Sequence, residues 1–309
     1  MTTTTTGSRR RGGRAVPYAF LAPAVILFVL FLLLPIGYTA YLSLRKVQVS
    51  GLGLGRGARR EVFAGLENYQ IALADTELWR GALRVLLYGG ILVPSMLGLA
   101  LLFALLLDTR RVAARRFSRI SIFLPYAVPA VVATLLWGFL YLPTVSPFQY
   151  VLRELGVGNV DLMSPTTIYF SLANIGLWGG VGFNMIIMYT ALRAVPAELY
   201  ESARIDGASE AQIAFRIKIP LITPALIMTG VFSIIATLQV FSEPTALAPL
   251  TNSLSSTWAP LMKIYRDAFI RSDIHSAAAT SIILAAVTLV LSFGFLRLLH
   301  KRAFGQEAR

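Results

Sequence analysis

The sequence has 309 residues, of which 56% are hydrophobic and only 14% are charged. A soluble core cannot hide so much apolar surface, so the composition indicates a membrane protein. The net charge of +13 does not indicate a nucleic-acid-binding protein, because the basic residues lie at the ends of apolar runs. The absence of cysteine excludes disulfides and thiolate chemistry, and His275 and His300 are too few for a histidine metal site.

Six long uncharged stretches divide the chain, and each has at least 21 residues. They cover residues 15–44, 85–107, 120–152, 162–192, 219–242 and 276–296. A helix of about 20 apolar residues crosses a bilayer, so we predict an all-α integral membrane protein with six transmembrane helices. The first stretch is longer than the apolar part of a signal peptide and is therefore predicted to be an uncleaved span.

The distribution of Lys and Arg predicts the orientation. If both termini are cytoplasmic, the inner segments carry 17 of the 28 basic residues, and the run 108–119 alone holds five Arg. We divide the chain into four parts: a basic cytoplasmic tail (1–17), the first span with its outer loop (18–81), a core of five spans (82–300) and a cytoplasmic tail (301–309).

The outer loops contain few specific signals. The glycine-rich run 51–57 lacks the Gly-Lys-Ser/Thr of a phosphate-binding loop and is predicted to be a flexible connector. Tyr69 and Trp79 predict a short interfacial helix that leads into the second span and anchors at the headgroups. A short helix is also predicted at 148–155, and a long outer loop at 242–275.

Prolines interrupt the third span at Pro125 and Pro129, and the fifth at Pro220 and Pro224. Such breaks are tolerated where neighbouring helices or a water-filled cavity satisfy the freed carbonyl groups. Ordinary kinks in a packed bundle and the lining of a transport pathway are both consistent with them.

A charged segment, 195–220, separates the fourth and fifth uncharged stretches. Pro196 suits a first helical position, and Gly207 suits the left-handed end of a helix of about ten residues. Ser209 and Gln212 form a capping-box pattern, so a second helix is predicted to start at once. The segment is therefore predicted to be a helix-turn-helix elbow on the cytoplasmic side.

No catalytic motif is visible. The sequence contains no His-Glu-x-x-His, no plausible Ser-His-Asp set and no paired carboxylates in its spans, so we do not expect an enzyme. Ion-coupled carriers normally place ionisable groups within their spans, and the six stretches have none. Energy for uphill transport is therefore expected from a partner protein.

The elbow resembles the EAA motif of permeases of binding-protein-dependent ABC importers, which is Glu-Ala-Ala, three residues, Gly, nine residues, Ile, one residue and Leu-Pro. The matching positions are Glu201, Ser202, Ala203, Gly207, Ile217, Ile219 and Pro220, with Ser202 in place of Ala and Ile219 in place of Leu. Residues 65–69 and 79–83 are similar to two signatures of the maltose/glycerol-phosphate-type sugar permeases, although one extra residue follows Trp79. The Gly-Gly-Pro usual in the last outer loop is replaced by residues 247–251.

The resemblance implies an ABC importer type I permease fold in the cytoplasmic membrane of a bacterium or archaeon. It implies a heterodimer with a second permease, two ABC ATPase subunits and an extracytoplasmic solute-binding protein that delivers a sugar for alternating access. ATP and magnesium belong to the ATPase partners, so no cofactor is expected on this chain. The residues expected to couple the chain to the ATPase are Glu201, Ser202, Ala203, Arg204, Asp206, Gly207, Ile217 and Pro220. Leu199, Ala203 and Ile205 are expected to fill a groove on it.

Polar groups in the spans or at their edges are candidates for the substrate path. They are Asn174, Trp178, Asn184, Gln239 and Glu243. Amide and indole side chains suit a sugar, because they bind hydroxyl groups and stack on apolar faces. The same residues also suit interhelical hydrogen bonds or interfacial anchors. Asn184 and Gln239 are favoured because they flank the elbow on the preceding and following spans.

Other functions stay open at this point. A permease for glycerol phosphate or another polyol would have the same fold. A stand-alone secondary carrier or channel would need an intramembrane charge or an inverted repeat, and a membrane-anchored assembly protein would need no elbow.

Overall fold

The computed structural model describes residues 15–49, 59–109, 114–156 and 160–304. The predicted connector at 51–57 lies outside these residues, as do residues 1–14 and 305–309 of the two predicted tails. Within the described ranges the chain is mostly helical.

The first described element is one continuous helix, which consists of α1 (Ala15–Phe28), a π-helical turn (Val29–Leu33) and α2 (Leu34–Ser43). The remaining helices before the elbow are α3 (Glu67–Ala74), α4 (Thr76–Asp108), α5 (Arg115–Phe123) with a 3-10 turn (Leu124–Ala127), α6 (Ala130–Tyr141), α7 (Pro147–Glu154) and α8 (Ile168–Ala194).

The elbow comprises α9 (Glu198–Ile205), α10 (Glu210–Ile213), a π-helical segment (Ala214–Lys218) and α11 (Ile219–Leu221). The helices after it are α12 (Thr223–Leu238), α13 (Ser242–Leu247) with a 3-10 turn (Ala248–Leu250), α14 (Pro260–Tyr265) with a π-helical segment (Arg266–Ile270), and α15 (Ile274–Phe304).

Four described helices are long and apolar enough to cross a membrane. They are Tyr18–Ser43, Thr76–Asp108, Ile168–Ala194 and Ile274–Arg297. Two further spans would be bent pairs, with angles of 96° between Arg115–Ala127 and Ala130–Tyr141 and 68° between Glu210–Leu221 and Thr223–Leu238. The breaks lie at or beside the prolines that were expected to interrupt these spans. The described residues therefore contain four candidate spans, or six if each bent pair is one span.

A β-hairpin corrects the all-α prediction. β1 (Arg45–Val49) pairs antiparallel with β2 (Arg59–Phe63), and Arg45 lies opposite Phe63. Polar and β-branched residues alternate here, and this period of two residues favours a short strand. A search for uncharged stretches does not detect such a period. Tyr69 is also not free to anchor at a headgroup through its hydroxyl group, which lies 2.6 Å from Ser43 Oγ at the end of α2.

The centre of the fold is the packing of α4 against α8. The buried positions of α4 recur every three or four residues, from Val85 and Tyr88 to Leu92 and Met96, which is the pattern of one helix face. A Cβ at Gly182 of α8 would lie 2.3 Å from the carbonyl oxygen of Ile122. Only glycine allows α8 to approach the end of α5 so closely, and this contact lies next to the break in the third predicted span.

A buried ionic cluster joins the last long loop to the start of α4. Lys263 Nζ lies 2.6 Å from Asp267 and 3.0 Å from Asp75, and the Lys263 side chain is only 4% exposed. Arg266 binds Glu77 at 2.9 Å and Asp267 at 3.0 Å. Burial alone would lower the pKa of Lys263, but its hydrogen bonds to Asp267 and Asp75 outweigh burial and raise it.

We predict that Lys263→Met lowers the free energy of unfolding by about 3 kcal/mol, because it removes the cation shared by two acidic groups in a buried site. Urea or thermal unfolding of the purified protein in detergent measures this difference. The matched control is Arg271→Ala. Arg271 is 60% exposed and lies 3.6 Å from Asp267, so its loss is expected to cost less than about 1 kcal/mol. Equal effects of the two substitutions would contradict the prediction.

Candidate functional site

The turn of the elbow is built from two capping motifs. Gly207 has φ of +83°, its N–H donates to Arg204 O at 3.1 Å, and Ala208 N–H donates to Ala203 O at 2.9 Å. This pattern is a Schellman motif, which ends α9. Ser209 Oγ accepts from Gln212 N–H at 3.3 Å, and Gln212 Oε1 accepts from Ser209 N–H at 2.8 Å. The capping box begins at Ser209, two residues after Gly207, and α10 starts at the next residue.

Helix α9 starts at Glu198, later than expected from Pro196, which was predicted to occupy a first helical position. Pro196 precedes α9 by two residues, and its carbonyl oxygen accepts from Leu199 N–H at 3.4 Å. Val195, directly before it, has an extended backbone, as the residue before a proline usually does.

An ion pair closes the turn. Arg204 Nε and Nη2 donate to the two carboxylate oxygens of Glu210 at 2.6 and 3.2 Å. The hydrogen bond to Glu210 is the main reason that the pKa of Arg204 is raised. Glu210 was not among the predicted site residues, because its partner lies across the turn.

The elbow buries some of its large side chains and exposes others. Tyr200 and Ile213 are buried, whereas Leu199, Ile205 and Phe215 are exposed, Ile205 by 86%. Three large apolar side chains on the surface of two short helices suit a groove on another protein.

The elbow is attached to the bundle through Lys218. Its Nζ donates to Asp108 Oδ2 at 2.5 Å, and both side chains are 6% exposed. The same Nζ lies 4.9 Å from the centroid of the Tyr200 ring. Sequence reasoning missed this cluster, although Lys218 was visible as a lone charge between two isoleucines and Asp108 as the one acid in a basic run.

A cavity of about 660 Å³ lies between α4, the 3-10 turn Leu124–Ala127, α8 and α12. Its volume is within the range of small-molecule binding sites. Its polar lining groups are Tyr88, Tyr126, Asn184, Ser233, Thr237 and Glu243. The rings of Tyr126 and Phe183 stack with centroids 4.8 Å apart. Among the described lining residues Glu243 is the only charged one.

Asn184 is the polar residue best placed in this cavity. Its Nδ2 donates to Gly180 O at 3.0 Å, one turn earlier in α8. Its Oδ1 is buried and has no hydrogen-bond partner among the described residues. A buried acceptor without a partner in the protein is suited to a hydroxyl group of a ligand or to water.

The other predicted substrate-path residues are placed differently. Glu243 lines the cavity, whereas Asn174, Trp178 and Gln239 do not. Asn174 Nδ2 donates to the Tyr141 hydroxyl at 2.9 Å, and the Trp178 ring packs edge-on against Trp137. These are the interhelical contacts that the sequence had left open as an alternative. Tyr88, Tyr126 and Phe183 were missed, and only Tyr126 had a signal, since it lies between Pro125 and Pro129.

The family model of the binding-protein-dependent transport system inner membrane component matches residues 96–305. The sn-glycerol-3-phosphate transport system permease protein UgpA of Agrobacterium fabrum is 29% identical over 294 residues, which cover 94% of this chain and 96% of that protein. UgpA of Salmonella typhimurium is 29% identical over 90% of this chain and 92% of its own length.

Two solved structures share the fold. One is a bacterial ABC transporter involved in the import of the acidic polysaccharide alginate, with a TM-score of 0.77, 22% identity, and coverage of 93% of this chain and 95% of that chain. The other is a bacterial alginate ABC transporter in complex with an alginate pentasaccharide-bound periplasmic protein, with a TM-score of 0.78 and the same identity and coverage. These matches confirm the resemblance seen in the elbow sequence. The chain therefore belongs to the family of inner membrane components of binding-protein-dependent transport systems.

Proposed function

We propose that this chain is one permease subunit of an ATP-driven importer that moves a sugar across the cytoplasmic membrane by alternating access. The observation that carries the proposal is the set of exposed apolar side chains on the elbow, which the buried Asp108–Lys218 pair attaches to α4. The chain spans the membrane six times, with the two bent helix pairs as its third and fifth spans. Its termini and the elbow are cytoplasmic.

The elbow is the coupling site for an ATPase subunit. Leu199, Ile205 and Phe215 dock in a groove of that subunit, and Gly207 and Pro220 set the geometry of the two helices. The remaining coupling residues are Glu201, Ser202, Ala203, Arg204, Asp206 and Ile217. ATP and magnesium are bound and ATP is hydrolysed by two such partners, so this chain is not itself an enzyme and carries no cofactor.

The complex contains three further kinds of component. They are a second permease, a solute-binding protein on the outer side and the transported sugar. A periplasmic protein is named in the complex of the alginate transporter, which supports the solute-binding partner. Family membership favours this assembly over a stand-alone carrier or an assembly protein.

The cavity supports a sugar as the substrate. Asn184 and Glu243 offer hydrogen-bond acceptors, and the Tyr126–Phe183 stack offers an apolar ring face, which together match a polyhydroxylated ring. Glycerol phosphate is a second candidate because it appears in the names of the relatives. The single charge in the cavity is acidic and repels a phosphate group, so an uncharged sugar is the better fit.

We expect the tagged chain, solubilised from native membranes in a mild detergent, to co-purify with an ATPase subunit, a second permease and a solute-binding protein. Mass spectrometry identifies the components, and the recovered binding protein is then screened against sugars and glycerol phosphate. A known importer processed in parallel is the control for the detergent. If that control stays assembled and this chain elutes alone, the proposed function is wrong.

Gly207→Val should uncouple ATP hydrolysis from transport. A Cβ at this position meets no atom within 4 Å, so the penalty comes from the left-handed backbone, about 1–2 kcal/mol, which lowers the population of the native turn roughly five- to thirty-fold relative to altered ones. Gly207→Asn is the matched control, because asparagine tolerates this conformation and should retain most activity. Transport and ATPase rates in proteoliposomes measure both. Full coupling in the valine variant would contradict the role of the elbow.

Asn184→Ala should raise the KM for transport roughly threefold to tenfold, because the substrate loses one hydrogen bond. Gln239→Ala is the control, since Gln239 is exposed and does not line the cavity. Uptake of the labelled sugar by proteoliposomes measures both variants. An unchanged KM for Asn184→Ala, or an equal rise for both, would remove this cavity from the substrate path.

A further inference from the structure

A second cavity, of about 250 Å³, lies at the base of the elbow. It is bounded by the end of α4, the start of α5, the end of α8, and the elbow. Four of its lining side chains are basic and one is acidic. The polar lining groups are Asp108, Arg115, Arg193, Tyr200, Arg204 and Lys218. None of them was needed to account for the substrate cavity.

The charges in this cavity do not balance. Lys218 is paired with Asp108, and Arg204 with Glu210. Arg115 and Arg193 form no ion pair within the described parts of the chain. Two positive charges are therefore left over beside a partly enclosed space, where an anion is attracted more strongly than it is in open water.

Two hydrogen-bond donors in the lining are also unused. The Tyr200 hydroxyl and Arg115 Nε are buried and have no hydrogen-bond partner among the described residues. The Tyr200 side chain is nine-tenths buried, since Tyr200 is only 8% exposed. Burial, with a smaller effect of the charge of Asp108, raises its pKa, so the hydroxyl stays protonated and can donate. Buried donors without a partner usually indicate a missing acceptor.

We propose that this cavity binds a phosphate group, held by Arg115, Arg193 and the Tyr200 hydroxyl. A phosphate group presents several anionic acceptor oxygens, and arginine binds it through charge-assisted hydrogen bonds. The group comes either from free inorganic phosphate or from the headgroup of an anionic phospholipid, because both carry the same chemistry. A bound phosphate joins α9 of the elbow to α5 and α8, so its occupancy stiffens the attachment of the elbow. Its binding can be measured without transport and does not depend on the identity of the substrate.

The test uses the purified full chain in nanodiscs of phosphatidylcholine, titrated with inorganic phosphate at constant ionic strength and followed by calorimetry. We expect saturable binding that becomes about tenfold weaker in Tyr200→Phe and in Arg115→Gln, because each change removes one donor to a charged acceptor. The phenylalanine keeps the ring that contacts Lys218, so it tests the hydroxyl alone. Arg216→Gln is the matched control, since Arg216 is an exposed cation of the elbow that does not line the cavity.

A second set of nanodiscs contains phosphatidylglycerol and distinguishes the two sources. If the headgroup is the ligand, these discs abolish phosphate binding and raise the thermal stability of the chain, and Tyr200→Phe loses this stabilisation. If free phosphate is the ligand, its binding is the same in both lipids. The proposal is overturned if neither lipid nor phosphate acts through Tyr200, or if Arg216→Gln weakens binding as much as Tyr200→Phe does.

Discussion

A buried ion pair holds the elbow on the helical bundle. Asp108 ends α4, Lys218 ends the π-helical segment after α10, and their side chains meet at 2.5 Å with only 6% of each exposed. Loss of either partner would leave a buried charge uncompensated, which is strongly unfavourable, so the pair keeps the elbow attached to α4. The Tyr200 ring below Lys218 extends the contact into α9. With its position fixed on one side, the elbow can leave apolar side chains exposed on the other.

The elbow is also continuous with a helix that lines the 660 Å³ cavity. α11 leads into α12 through the 68° bend at Ile222, and Ser233 and Thr237 of α12 line that cavity. Residues 125–129 of the broken segment also line that cavity, and Gly182 lets α8 pack closely against Ile122 and Phe123, directly before this segment. A rotation of the elbow would therefore be transmitted to the lining of the cavity through the bend at Ile222. Stiff elements connected by a few hinge residues are a common means of converting a small shift into domain motion.

Features decided by neighbouring residues could be predicted from the sequence, whereas pairings between distant residues could not. The cap at Gly207 and the capping pattern from Ser209 depend on one or two helical turns, and the proline breaks are equally local. Asp108 and Lys218 are 110 positions apart, and nothing in either local sequence specifies the other. The cavity position of Tyr88 depends on how α4 packs against α8, which the sequence around Tyr88 does not specify. The hairpin was missed because its strands are marked by an alternation of polar and apolar residues, whereas the spans were found from long stretches without charged residues.

The exposure of Ile205 offers a route to direct observation of the elbow. The chain contains no cysteine, and this side chain is 86% exposed on the outer face of α9. A single cysteine introduced there can carry a spin label or a fluorophore without prior removal of native thiols. A second label on the exposed face of the first helix, where the described side chains of α1 are largely accessible, would add a distance across the chain. Distances between the two labels would then show whether the elbow moves in the proposed transport cycle.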